Sequence, residues 1–144
     1  MTEGQVLDST ITSGKHWLHE LIGKLELPEE DAGRALHALR AGLHAIRDRL
    51  PAAEVVDLGA QLPVLIRGIY YEGWRLTNDP TRIRNRVEML DRVERELHPD
   101  KRFEPLAVLR AVIELVTEHV SQGEITDVIS TLPRSIAELW SHGA

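Results

Sequence analysis

The sequence predicts an all-α protein of eight helices, arranged as two tandem four-helix repeats and packed into one globular domain. Three observations lead there. Apolar residues recur at three- and four-residue spacing along almost the whole chain, the pattern of helices with one buried face. No segment alternates apolar and polar residues long enough to form a half-buried strand. When the chain is shifted by seventy positions, residues 39–70 fall on residues 109–140 with the same punctuation.

The elements follow in order. Residues 1–9 carry no apolar stripe and are expected to be a flexible acidic N-terminus, leaving 10–144 as the domain, with repeat one over 10–77 and repeat two over 78–144. Trp17, Leu18, Leu21, Ile22 and Leu25 mark the first helix. Pro28 with Glu29, Glu30 and Asp31 opens the second, because acids favour the positive end of the helix dipole. Its stripe is Leu36, Leu39, Leu43, Ile46 and Leu50. Residues 52–61 and 63–73 supply the third and fourth helices. Asp79-Pro80 reads as an N-cap followed by proline, ahead of a fifth helix on Ile83, Val87, Leu90, Val93 and Leu97. Leu109, Val112, Ile113, Val116 and Val120 make the sixth. Ser121-Gln122-Gly123-Glu124 has the form of a capping box for the seventh, over 122–131, and residues 133–140 form the eighth.

The repeat permits an internal comparison. Leu39-Arg40-Ala41 matches Leu109-Arg110-Ala111, Glu54 matches Glu124, and Asp57 matches Asp127. Leu62-Pro63 matches Leu132-Pro133, Ile66 matches Ile136, and Tyr70 matches Trp140. A residue type kept in both halves is assigned to the helical unit itself. Arg40 with Asp57, and Arg110 with Asp127, are expected to be salt bridges tying two helices together. Pro63 and Pro133 are expected at helix junctions. Tyr70 and Trp140 are expected in the core, and Gly73 and Gly143 at a left-handed helix stop.

The stretch LRAGLHAIRDRLPAAEVVDLGAQLPVLIRGIYYEGW, with Leu109-Arg110-Ala111 and Leu132-Pro133 near the end, resembles the bacterial family designated domain of unknown function 2267. The resemblance runs from about Trp17 to Trp140. It implies an all-helical, internally duplicated domain, and it brings no activity, cofactor or catalytic residue.

Residues present in one half only are the better functional candidates. The chain holds six aromatic residues, and three of them fall within Tyr70–Trp74. Tyr71, Glu72 and Trp74 have no like counterpart in the second half, and together with Arg75 they form the candidate partner surface. The alternative is that Tyr71 and Trp74 cover the seam between the halves.

Composition narrows the function classes. The net charge is −6, and residues 1–31 hold seven acids against Lys15 and Lys24. Residues 67–86 lean basic through Arg67, Arg75, Arg82, Arg84 and Arg86, and the cluster of Arg82, Arg84 and Arg86 is expected to pair with Glu72, Asp79 or acids of the first repeat. A chain-wide negative field disfavours nucleic acid. There is no cysteine, no apolar run long enough for a membrane span and no signal-peptide pattern, so a cytoplasmic protein is expected.

Spacing argues against familiar chemistry. His16 and His19 could converge beside Glu20, but His37 and His44 lie two turns apart, roughly 10 Å by helical rise. None of the seven histidines has a glutamate three positions before it, as helical di-iron sites require. No metal site, cofactor or catalytic residue is therefore expected. None of the six serines sits in a nucleophile elbow, and no glycine-rich phosphate loop occurs. The leading expectation is a non-enzymatic interaction or scaffold module that binds a protein partner or forms a homodimer. Two alternatives stay open: a nucleic-acid-associated regulator using Arg75–Arg86, and a small-molecule binder or enzyme with its pocket between the repeats.

Overall fold

The computed structural model describes residues 2–98, 100 and 102–141. Among them are eight α-helices and no strand: α1 (Glu3–Lys24), α2 (Ala32–Asp48), α3 (Ala52–Ala60), α4 (Val64–Tyr71), α5 (Arg86–Leu97), α6 (Pro105–His119), α7 (Gln122–Ser130) and α8 (Arg134–Ala137). Short 3₁₀ turns occupy Glu29–Asp31, Pro80–Arg82 and Glu138–Trp140.

Helix α2 is the axle. It packs against α1, α4, α5 and α6, and its side chains from Ala35 to Arg47 are buried on several faces. Four alanines and a glycine among them let its neighbours approach closely. The tightest point is Gly42, where a Cβ would stand 2.5 Å from Cγ2 of Val112 on α6. Around this axle a single apolar core runs from Trp17 and Leu21 through Leu43, Tyr70 and Val93 to Val116 and Leu139. No helix among the described residues is long and apolar enough to cross a membrane.

The two Leu-Pro junctions behave alike locally. Pro63 and Pro133 are the N-caps of α4 and α8, with φ/ψ of −60/154° and −59/152°. Ahead of them lie α3 and α7, nine residues each, which pack against one another. Gly73 stops α4 with φ +73°, the left-handed conformation that glycine adopts without a Cβ penalty. Its counterpart Gly143 lies outside the described residues.

Several details differ from expectation. Helix α1 begins at Glu3, so most of the segment read as a flexible acidic tail is helical. Thr2 and Gln5 start it with a reciprocal capping box, the Thr2 hydroxyl accepting from the Gln5 amide and the Gln5 side chain accepting from the Thr2 amide. Helix α5 starts only after Asn85 caps the Glu88 amide. That sets its phase so that Met89, Val93 and Leu97 face inward, while Val87 is 67% exposed. Tyr70 is fully buried, whereas Trp140 is only partly so and Leu139 is buried instead. The tighter 3₁₀ winding over Glu138–Trp140 shifts which side chain turns inward.

Candidate functional site

The aromatic turn is built from the end of α4 outward. Tyr70 is buried, and its hydroxyl donates to the Val55 carbonyl of α3 at 2.8 Å. Burial holds this phenol protonated well above the ordinary tyrosine range. Tyr71 meets Tyr70 edge-on with centroids 5.0 Å apart and packs over Gly59 of α3. Trp74, past the glycine stop, lies 6.0 Å from Tyr71 at a tilted angle. Both Tyr71 and Trp74 are half-buried and rest against the core. The aromatics therefore form a continuous row from the interior to the surface.

Beneath this row runs a chain of charged hydrogen bonds. Arg47, 2% exposed, donates through Nη1 to the carbonyls of Tyr70 (2.8 Å) and Glu72 (2.6 Å) and through Nε to Asp48 (2.9 Å). Arg92 of α5 joins Asp48 (3.0 Å) to Glu96 (2.9 Å). Glu96 meets His44 Nδ1 at 2.7 Å, and His44 Nε2 lies 2.7 Å from the Ile69 carbonyl. Burial opposes ionisation of Glu96, but His44 and Arg92 together outweigh it and hold the carboxyl below its usual range. This ties α2, α5 and the last turn of α4 into one frame under an open cleft lined by Asp48, Glu72, Trp74, Arg75, Asn78 and Arg92.

Not every predicted partner is found. Arg40 pairs with Glu72 at 2.8 Å rather than with Asp57. No ion pair among the described residues joins Arg110 to Asp127, and both are exposed. Arg84 pairs with Glu88 of its own segment, not with Glu72 or Asp79. Arg75 is exposed and makes no ion pair among the described residues. Of the residues that could have converged on the first helix, His19 lies 3.3 Å from Glu29, and Glu20 meets His119, which stacks on Trp17, at 2.7 Å.

The structure also assembles a group that spacing arguments missed. Glu54 of α3 and Glu124 of α7 turn toward each other with Asp57 alongside, and their carboxylate oxygens lie within 4.8 Å of one another. Ser121 caps α7 by accepting from the Glu124 amide at 3.2 Å, but Glu124 does not complete the box. The Ser121 amide instead donates to Gln61 Oε1 at 3.0 Å. Burial, then Glu54, Asp57 and Asp127, push the Glu124 carboxyl up to about 8. The recurrence of Glu54 as Glu124 and Asp57 as Asp127 was the visible signal. What it lacked was the packing of α3 on α7.

The model of the family described as "Uncharacterized conserved protein (DUF2267)" matches residues 14–139 of the chain. No curated protein matches it.

Proposed function

Because the chain belongs to the DUF2267 family of uncharacterized conserved proteins, whose description names no activity, we propose from geometry a non-enzymatic helical interaction module. Its partner surface is the aromatic turn, with Glu72, Trp74 and Arg75 at its centre. The observation that carries this is Trp74 itself. It stands half-buried at the end of the aromatic row, beside exposed Arg75 and a Leu76 that is 74% exposed. The frame under it is internally satisfied, so the turn is held in shape before any partner arrives. Preorganisation of this kind lowers the entropic cost of association.

The partner that charge complementarity favours is a second copy of the chain. Arg75 and Arg82 are exposed without an ion pair among the described residues, and so are Glu26 and Glu30 on the acidic first segment. An exchange of these surfaces between two copies would pair them around the two tryptophans. The same observations weigh against the other readings. One arginine of the basic stretch is already neutralised by Glu88, and the polar floor of the cleft is spent on its own hydrogen bonds.

Sedimentation velocity across a concentration series tests this, at about 50 mM and about 500 mM salt, where charge screening differs strongly. Association that weakens with salt and is lost in Trp74→Ala is expected. A monomer at every concentration in low salt would refute self-association.

A further inference from the structure

A second site lies between α3 and α7. We propose that Glu54, Asp57 and Glu124 bind one hard divalent cation, with calcium as the ion they fit.

A cluster of acids is common on a protein surface, but this one is arranged unusually. Glu54 and Glu124 both occupy the third position of their helices, where a glutamate ordinarily reaches back to the N-cap amide. In α3 the N-cap is Pro51, which has no N–H to offer. In α7 the Ser121 amide is taken by Gln61. Both carboxylates are released from capping and directed into the helix–helix contact.

There they meet each other, carboxyl against carboxyl. Glu124 is 8% exposed. Its Oε2, and that of Glu54, is buried without a hydrogen-bond partner. No lysine, arginine or histidine among the described residues forms an ion pair with Glu54, Asp57, Glu124 or Asp127. The charges of the Arg47–Asp48–Arg92–Glu96 chain, by contrast, are paired with one another. Orphaned buried carboxylate oxygens cost free energy, and a cation or a shared proton is what removes the cost.

Geometry and chemistry select the ion. An all-carboxylate set suits hard cations and not the softer metals that histidine and cysteine attract. Calcium takes oxygens at about 2.3–2.6 Å, so two on opposite sides of it stand about 4.8 Å apart. The present oxygens all fall within that span. Magnesium demands near-ideal octahedral geometry and gives up its waters reluctantly, so a set of protein carboxylates suits it less. Exposed Asp57 gives the ion an entrance, water can complete the shell, and Asp127 adds negative field from the far lip. The expectation of no metal rested on histidine spacing and did not consider this group.

The test uses untagged protein stripped with a chelator and titrated with calcium chloride at pH 8.5, by calorimetry and by thermal melting. About one ion per chain and a rise in Tm of roughly 3 °C or more near saturation are expected. Glu124→Gln and Asp57→Asn should each weaken calcium binding at least tenfold, and Glu94→Gln, on the exposed face of α5, should not. Asp57 is exposed, so its variant keeps the test valid if Glu124→Gln folds poorly. No response of the wild type to calcium up to about 10 mM, beyond the weakest natural sites, would overturn the proposal. So would unchanged binding in both variants. A wild type that ignores calcium but is stabilised by Glu124→Gln would assign the pair to a shared proton instead.

Discussion

Replacing Glu124 by glutamine keeps the shape of the side chain and removes its charge, so it reads directly what the α3–α7 contact costs. In the unfolded chain this carboxyl titrates near its ordinary 4.5, and in the folded chain at about 8. Between those values the folded state holds a proton that the unfolded state has released. Linkage then makes stability fall as pH rises, by about 1.4 kcal/mol per pH unit at the steepest point. The stability is fully present below pH 4.5, declines through the window and is lost above about 8. Sharing of the proton with Glu54 and relaxation around Asp57 blunt the slope, leaving a total on the order of 3 kcal/mol. Urea melts in chelator at pH 5 and pH 8.5 should show Glu124→Gln close to wild type at the lower pH. At the higher pH the variant should be more stable by about 2 kcal/mol or more. Parallel pH profiles for the two proteins would refute the reasoning, because the buried carboxyl would then cost nothing to ionise.

Other perturbations separate core from surface. Tyr70→Ala removes a fully buried ring and its hydrogen bond to Val55, and should cost about 3 kcal/mol or more in urea melts. Trp74→Ala, at the half-buried end of the row, should cost only about 1 kcal/mol while abolishing self-association; a loss equal to that of Tyr70→Ala would make the tryptophan structural. Gly42→Ala places a Cβ against Val112 and should lower stability by about 1–3 kcal/mol, with little change if α2 and α6 can separate freely.

The helices were legible because their stripes and punctuation act locally. Pro63 and Pro133, Gly73 and Ser121 all sit at the helix ends that their chemistry favours. Misreadings arose where a local signal was weak or the deciding partner was remote. The Thr2–Gln5 cap starts a helix whose first residues lack an apolar face, so periodicity could not see it. Val87 fits a stripe drawn from Ile83, but the Asn85 cap interrupts that register. Arg40 has acids at several sequence distances, and only the fold of the α4 turn brings Glu72 to it. The acid group required knowing that α3 and α7 touch, which no spacing rule supplies.

A charge exchange between two variants tests the aromatic turn as a self-association surface most directly. Arg75→Glu and Glu30→Arg should each sediment as monomers at low salt, because each places like charges face to face. Mixed in equal amounts, they should recover a dimer in which one reversed pair is again complementary and the other is native. A mixture that stays monomeric while the wild type associates, or an Arg75→Glu protein that associates as tightly as wild type, would contradict the assignment.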